Sequence, residues 1–410
     1  MSVRRLPHHL RWSLLLFALN LALSLAFCFT ISPRLAGSGV TLLDPDGYGN
    51  AGRVLYETGC FDSLTRAPLY PAFVALVSFL TGGYHIWAVQ AAQCLLAALT
   101  CVLLYAIFRR TLGGRKARWA GLACALYPML IWYTPRMWTE TFLTLVLAGF
   151  TLTLILLLQH PTAWRAVLCG AMAGIAALSK GIALIFVLLT PLVLLLRFTG
   201  KAWRWLVFVV LAVIVLVAPW TWRNWQLSGQ FLPIHANGGY NFYLGNGFVR
   251  HWLQAPLSYA KLKAYTVLDM QALYSSLGLD PPTDPLDADL ILLHAALRDM
   301  RVHPSLIPQK LAIQSLTFWY LAADAPKSLL TGALQFPVVL AALPGVVRAL
   351  RRRSWALTLL VPVAGIMGAS VVIFSFARLS MTVMPYLIGL AVFGFWPEPC
   401  GVCFSELSRR

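Results

Sequence analysis

The chain has 410 residues, of which 59% are apolar and only 11% charged, with a mean hydropathy of +0.74. This composition excludes an ordinary soluble protein, because a soluble chain of this length needs far more polar surface to cover its core. The net charge of +18 resides mainly in short loops, and no groove-reading module accompanies it, so we exclude nucleic acid as a partner. Apolar runs of about 17–25 residues, each long enough to cross the hydrocarbon of a bilayer, recur along the sequence. We therefore predict an all-α polytopic membrane protein.

About ten full spans and one shorter apolar run are predicted in chain order. The full spans cover residues 12–32, 86–108, 119–134, 137–158, 164–179, 181–197, 203–222, 327–347, 355–375 and 380–396. The shorter run, 68–83, lies between proline and glycine and is predicted to be a short or re-entrant helix. With this assignment every basic cluster falls on one side, which the positive-inside rule makes the cytoplasm, together with the N-terminus. We expect a multi-pass protein of a bacterial inner membrane.

Three regions follow from this map. Residues 1–222 form an N-terminal transmembrane catalytic module that contains a first outer loop, 33–67. Residues 223–326 form an outer, periplasmic segment, and residues 327–410 form the C-terminal transmembrane hairpins and a cytoplasmic tail. In the outer segment, Asp284 or Asp287 is expected to cap a surface helix that continues through Leu297.

The first outer loop concentrates acidic residues in an otherwise apolar chain. Four of the fourteen acids lie within or beside "LLDPDGYGNAGRVLYETGCF", namely Asp44, Asp46, Glu57 and Asp62. The pattern after Pro45 predicts a short amphipathic helix along the membrane surface, ended by Gly59. Asp44 could cap this helix, and Asp46 could lie in its first turn. Either carboxylate could also serve as the general base for a hydroxyl group, since the two roles do not exclude each other.

Further polar residues stand at the predicted span ends. Arg66 precedes the short helix and could contact a phosphate or simply be solvated, and Lys180 at a break between spans could neutralise a phosphate or snorkel. Glu140 opens an apolar span and could simply anchor that helix, although an acid there is costly unless it faces a polar cavity. Additional candidates for substrate contact are Tyr48, Arg223, Asn246 in the glycine- and tyrosine-rich "GGYNFYLGN", and Arg378.

No metal or cofactor is expected. Cys400 and Cys403 form one CxxC, which is half a zinc site at best, and the other cysteines lie mainly in apolar runs.

In order and spacing, six stretches resemble the bacterial members of glycosyltransferase family 39, which are similar to protein mannosyltransferases and have the C-type membrane fold. They are "DPDGYGNAGRVLYETG", "RAPLYPAFVAL", "PRMWTE", "SKG", "PWTWRNWQLSGQFLPI…GGYNFYLGN" and "ARLSMTVMPYLIGLA". The resemblance covers roughly residues 10–395 and is weakest over 260–325. It places the family's catalytic aspartate on Asp44, with Asp46 able to share or take the role. It also places a second acid on Glu140, a lysine on Lys180 and a late arginine on Arg378, although the aromatic and the second arginine of that last motif are absent.

The resemblance implies a glycosyltransferase that moves a sugar from a polyprenyl-phosphate donor to an envelope lipid, glycan or protein on the outer side of the membrane. We expect single-step inverting transfer with an aspartate as general base and basic side chains at the leaving phosphate. The alternative is a transporter or flippase of a lipid-linked sugar, which should show inverted repeats or helices broken at mid-membrane.

Overall fold

The computed structural model describes residues 7–33, 44, 46–198, 200–255, 258–280 and 284–396. The described part of the chain is built of α-helices, which we number in chain order. They are α1 (His8–Ala26), α2 (Tyr48–Thr58), α3 (Leu69–Leu80), α4 (Ile86–Thr111), α5 (Gly114–Leu126), α6 (Pro128–Trp132), α7 (Thr139–Gln159), α8 (Ala163–Ser179), α9 (Ile185–Phe198), α10 (Trp203–Ser228), α11 (Gly238–Gln254), α12 (Tyr259–Ser276), α13 (Pro285–Val302), α14 (Leu306–Tyr320), α15 (Ala325–Arg351), α16 (Leu360–Ile373), α17 (Ala377–Ser380) and α18 (Met384–Phe395).

Seven of the described helices are long and apolar enough to cross a membrane. They are His8–Ile31, which includes a π-helical end, Ile86–Thr111, Thr139–Gln159, Gly181–Phe198, which begins with a 3₁₀ turn, Trp203–Ser228, Ala325–Arg351 and Trp355–Ile373. Three shorter apolar helices, α3, α8 and α18, accompany them. The predicted all-α polytopic membrane fold is confirmed.

The short run predicted at 68–83 is a helix of 12 residues, Leu69–Leu80. At 1.5 Å per residue it extends about 18 Å, much less than the hydrocarbon thickness of a bilayer. Its length agrees with the prediction of a short helix.

Two predicted spans are divided in the structure. The run 119–134 breaks where Tyr127 adopts an extended backbone (φ −66°, ψ 116°), so that α5 ends and α6 begins at Pro128. Proline disfavours a helical conformation at the residue before it, which explains the break. The run 380–396 contains the end of α17, a turn, and then α18, which has Pro385 in its first turn.

The segment between the seventh and eighth predicted full spans folds as four helices, α11 to α14, which we call the four-helix segment. It has an apolar cluster of its own around Leu244, Phe248, Leu262 and Leu292. The predicted cap at Asp284 is confirmed, since its Oδ1 accepts a hydrogen bond of 2.8 Å from the Leu286 N–H. The helix that it caps continues to Val302, beyond the predicted Leu297.

Some predictions fall outside the described residues. These are the position of Pro45 at the start of the loop helix, residues 34–43 of the first loop, and the CxxC of Cys400 and Cys403.

Candidate active site

A cavity of about 530 Å³ lies where five separate parts of the chain meet. The first loop, the turn after α8, the beginning of the four-helix segment, α12 and the stretch around α17 all contribute to its wall. Its lining includes Asp46, Tyr48, Arg66, Lys180, His235, Tyr240, Tyr259, Lys263 and Arg378. The cavity thus brings together five of the nine residues singled out from the sequence.

A chain of alternating charges forms one wall of this cavity. Arg378 Nη1 lies 2.5 Å from Asp46 Oδ2, and Arg378 Nε lies 3.0 Å from Glu140 Oε1. The same Glu140 oxygen contacts the Lys180 ammonium. Glu140 is fully buried behind the wall, whereas the side chains of Lys180 and Arg378 remain 15% and 17% exposed. Two carboxylates and two cations therefore compensate one another in a place where an isolated charge would be costly.

Local structure holds each member of this charge chain. Glu140 lies in the first turn of α7, where the helix dipole favours an anion. Lys180 follows the last residue of α8 in an extended conformation, which turns its side chain away from the helix axis. The Arg378 guanidinium lies over the rings of Trp138, at 4.7 Å, and Phe376, at 5.1 Å, and both rings stabilise the cation.

The two first-loop carboxylates differ in position. Asp46 reaches the cavity, and its backbone carbonyl accepts hydrogen bonds from Arg66 Nε (3.2 Å) and Nη2 (2.9 Å). Asp44 is not among the residues that line the cavity. Its Oδ2 accepts a hydrogen bond of 2.9 Å from the Asn50 N–H, while its Oδ1 is buried without a partner.

The surroundings move the pKa values of these carboxyls in opposite directions. Burial raises the pKa of Asp44, and the backbone N–H groups of Tyr48, Gly49 and Asn50 offset this only in part. Burial also acts to raise the pKa of Asp46, but attraction to Arg378, with smaller contributions from Lys180 and Lys263, lowers it below the usual value. Asp46 is therefore the more firmly ionised of the pair.

The predicted interfacial helix exists as α2, with a corrected beginning. Its N-cap residue is Gly47, in a left-handed conformation (φ 67°), rather than Asp44, and the helix starts at Tyr48. Asp44 nevertheless accepts a hydrogen bond from an N–H of the first turn. It therefore makes the predicted capping interaction, although it lies three residues before the N-cap residue. The helix ends at Gly59 (φ 71°), as predicted.

Close packing fixes α2 against its neighbours. A β-carbon at Gly52 would lie 2.4 Å from Val74 Cβ, and one at Gly49 would lie 2.2 Å from Met137 Sδ. The helix therefore approaches α3 and the loop before α7 more closely than any side chain would permit. This packing fixes the position of α2 and therefore of Tyr48 in the cavity wall.

Two of the predicted substrate-contacting residues lie elsewhere. Arg223 donates to the Ser63 carbonyl (3.2 Å) and lies over the Trp220 ring, so it holds the second half of the first loop. Asn246 is fully buried and is bound to the Ala296 carbonyl and to Lys310 Nζ (2.8 Å). The "GGYNFYLGN" stretch is helical, and its cavity face carries Tyr240, Asn241 and Leu244, which leaves Asn246 on the other face.

Several residues of the wall are not indicated by the sequence. His235 precedes α11 and packs on Gly181, next to Lys180, and burial lowers its pKa to about 4, so that the imidazole is neutral at neutral pH. Tyr240, Tyr259 and Lys263 come from the four-helix segment. The sequence shows the aromatic stretch "YNFY", but nothing in it indicates which face of the helix is turned toward the charged residues of the cavity.

Among the described residues, no group of three or more His, Cys, Asp or Glu side chains is arranged to hold a metal ion. The expectation that the protein needs no metal stays a prediction.

The chain is similar to a known protein family and to solved membrane-protein structures. Residues 65–222 match the family model of dolichyl-phosphate-mannose-protein mannosyltransferases. The apo crystal structure of the oligosaccharyltransferase from Archaeoglobus fulgidus is 14% identical, with a TM-score of 0.58, over 95% of this chain and 51% of that chain. The structure of ArnT from Cupriavidus metallidurans bound to undecaprenyl phosphate is 18% identical, with a TM-score of 0.42, over 94% of this chain and 78% of that one. No curated protein sequence matches this chain.

The fold and the family match define the class: this is a membrane protein with the C-type glycosyltransferase fold. The resemblance to glycosyltransferase family 39 predicted from the sequence is confirmed over residues 65–222, which match the family model. The chain spans about half the length of the archaeal oligosaccharyltransferase that it matches.

Proposed function

We propose that the protein is a membrane glycosyltransferase that moves a sugar from a polyprenyl-phosphate donor to a hydroxyl of an envelope lipid, glycan or protein. The observation that carries this proposal is the charge chain Asp46–Arg378–Glu140–Lys180 along the wall of a cavity large enough for a sugar. It combines a carboxylate that can take a proton with cations that can stabilise a leaving phosphate. The family matched by residues 65–222 is named for a polyprenyl-phosphate sugar donor, which supports the same donor class here.

In this mechanism Asp46 acts as the general base. One carboxylate oxygen of Asp46 is held by Arg378, and the other takes the proton from the acceptor hydroxyl. In the same step the hydroxyl oxygen of the acceptor attacks the anomeric carbon. The bond from the anomeric carbon to the phosphate oxygen breaks in the same step, so the configuration is inverted. Asp44 holds the N-terminus of α2 and thereby positions Asp46.

The cations act on the leaving group. The phosphate gains negative charge as it departs, and Lys180, Arg378 and Arg66 all reach the cavity. The Arg66 guanidinium binds a carbonyl oxygen rather than a carboxylate, so its full charge is available to an anion. The neutral His235 and the tyrosines of the wall offer hydrogen bonds and stacking surfaces to a sugar.

We further propose that the cavity opens to the outer side of a bacterial inner membrane. The first loop and the turn after α8 reach the cavity. The basic clusters at 109–118 and 348–353 lie at the ends of α4 and α15 that point away from the cavity. By the positive-inside rule these clusters are cytoplasmic.

The decisive test removes the base. Asp46→Asn should lower transfer from a radiolabelled undecaprenyl-phosphate sugar to envelope fractions of a deletion strain by about 100-fold or more, because positioned base catalysis contributes that much. Asp62→Asn, an exposed acid of the same loop outside the cavity wall, is the matched control and should transfer normally. If Asp46→Asn and Asp44→Asn both retain full transfer, the assignment of the base is wrong.

The pH dependence distinguishes the two aspartates. The active base is ionised, and a lowered pKa keeps the carboxylate ionised to lower pH. With Asp46 as base, the rate should stay level as the pH falls to about 4, the ordinary value for aspartate. With Asp44 as base, the rate should already fall above that value, because its pKa is raised.

A further inference from the structure

The cavity carries more positive charge than one lipid phosphate requires. Among the described residues that line it, four are cations, Arg66, Lys180, Lys263 and Arg378, and Asp46 is the one carboxylate. Asp46 and the buried Glu140 are both engaged by Arg378 and Lys180. Within the described part of the chain, no carboxylate lies within 4.0 Å of the Arg66 guanidinium or the Lys263 ammonium.

Lys263 differs from an ordinary surface lysine because its helix is held at the cavity. The Tyr259 and Ala260 N–H groups at the start of α12 donate to the Ala322 and Ala323 carbonyls, each at 3.2 Å. The Tyr259 ring stacks on Phe376 at 4.9 Å, two residues before Arg378. Lys263 follows Tyr259 by four positions and therefore lies on the same helix face, which is the face toward the cavity.

The position of Lys263 also separates it from the buried charges. Its side chain is solvent-exposed, whereas Lys180 and Arg378 are largely buried and held by carboxylates. It is still near enough to Asp46 to help lower the pKa of that carboxyl. The cavity thus has an inner pair of cations beside the proposed base and a separate exposed cation on α12.

We infer that Lys263 binds a second anionic group of the substrates, a phosphate or a carboxylate, distinct from the lipid phosphate bound near Lys180 and Arg378. This inference rests on the proposed function, and it narrows the substrate class to pairs in which the acceptor or the donor sugar is itself acidic. Two sources supply the same chemistry: an acidic acceptor, such as a phosphorylated or uronate-bearing glycolipid, or a donor sugar that carries a carboxylate.

A binding experiment tests the anion site on the full chain in nanodiscs of neutral lipid. The chain is first titrated with undecaprenyl phosphate and then with glucose 1-phosphate, with methyl glucoside as the uncharged probe. Lys263→Gln should weaken glucose 1-phosphate binding about fivefold, the upper range for an exposed ion pair, and should leave methyl glucoside unaffected. Lys263→Arg should bind as the unaltered chain does.

The matched control is Lys261→Gln. Lys261 is an exposed lysine of the same helix, two positions earlier, and it is not among the lining residues of the cavity. Its removal changes the net charge equally, so a general electrostatic effect would appear in both variants and would overturn the inference. Equal glucose 1-phosphate affinity in Lys263→Gln and the unaltered chain would overturn it as well. Failure of undecaprenyl phosphate to bind would instead count against the proposed function, and the glucose 1-phosphate titration would still decide the role of Lys263.

Kinetics then distinguish the two sources. With a neutral donor sugar and envelope fractions as acceptor, a raised acceptor KM in Lys263→Gln at unchanged kcat identifies an acidic acceptor. If the KM rises only for a uronic-acid donor and stays unchanged for its neutral counterpart, the carboxylate belongs to the donor. Unchanged KM values for all three substrates would overturn the inference.

Discussion

The cavity has two sides that are built in different ways. The first-loop side is tied to the helix bundle by ion pairs and by glycine contacts: Asp46 binds Arg378, and Gly52 lies against Val74. The four-helix segment also has ion pairs, from Arg250 to Asp269 (3.6 Å) and Asp299 (3.4 Å), but these residues do not line the cavity. Its cavity side is held by an apolar cluster, by close glycine packing and by hydrogen bonds such as that from the Tyr240 N–H to Asp289 Oδ1 at 2.8 Å.

This difference separates two tasks. The first loop and the bundle supply the buried charges, whose geometry must be fixed because a misplaced charge in an apolar setting is costly. The four-helix segment supplies the aromatic rings, the neutral imidazole of His235 and the exposed Lys263, which can adapt to a substrate. We expect reaction chemistry to depend on the first side and substrate choice on the second.

The largest effect should come from breaking the charge chain. Glu140→Ala leaves Lys180 and Arg378 without their shared buried carboxylate, and removal of one partner of such a group costs about 3–5 kcal/mol. Thermal unfolding in detergent should show a strongly lowered midpoint together with lost transfer. Glu57→Ala, an exposed acid on α2, should unfold like the unaltered chain. Equal midpoints for both variants would contradict the view that the ion pairs hold the first-loop side.

A smaller effect should follow from a methyl group between α2 and α3. Gly52→Ala places a β-carbon 2.4 Å from Val74 Cβ and 2.8 Å from the Pro71 carbonyl oxygen, and overpacking of this kind costs about 1–3 kcal/mol. The displaced α2 carries Tyr48 and adjoins Asp46, so kcat should fall along with the unfolding midpoint.

Its control is Gly368→Ala on α16, where a β-carbon meets nothing within 4 Å. That variant should be neutral or slightly stabilised, since alanine favours a helix over glycine by up to about 1 kcal/mol. A full-rate Gly52→Ala enzyme would show that the position of α2 does not limit the reaction.

The smallest effect should come from the four-helix segment. Asp289→Ala removes the carboxylate that accepts the Tyr240 N–H in the first turn of α11, and loss of such an acceptor costs about 1 kcal/mol. Because this turn carries Tyr240 and Asn241 into the cavity, we expect a raised substrate KM at nearly unchanged kcat. Asp287→Ala, an exposed acid of the same helix α13, is the matched control. A lowered kcat at constant KM would contradict the division between the two sides.

The sequence predicted the fold class because hydrocarbon thickness imposes long apolar runs that no soluble protein needs. It predicted the charged part of the cavity for a related reason: an acid or a cation at the end of an apolar helix has few stable surroundings, so Glu140, Lys180 and Arg378 were conspicuous. The break at Tyr127 was also signalled locally, by the proline that follows it.

The four-helix segment carried no comparable signal. His235, Tyr259 and Lys263 are common residue types in a mixed-charge stretch, and their role depends on how whole helices dock against the bundle. Asn246 illustrates the limit, since the sequence offers it for substrate contact, whereas the helix buries it against Lys310. The sequence "GGYNFYLGN" does not show which face of its helix is buried, because that depends on the segments that pack against the helix.

The contact between Arg378 and Asp46 joins residues that are 332 positions apart. During synthesis the first loop therefore emerges long before its arginine, and Glu140 enters the bundle while the counter-charge from α17 has yet to be translated. The charge chain is consequently among the last features to assemble, and a nascent chain that ends before α17 holds Asp46 without its ion-pair partner, whereas Glu140 already has Lys180.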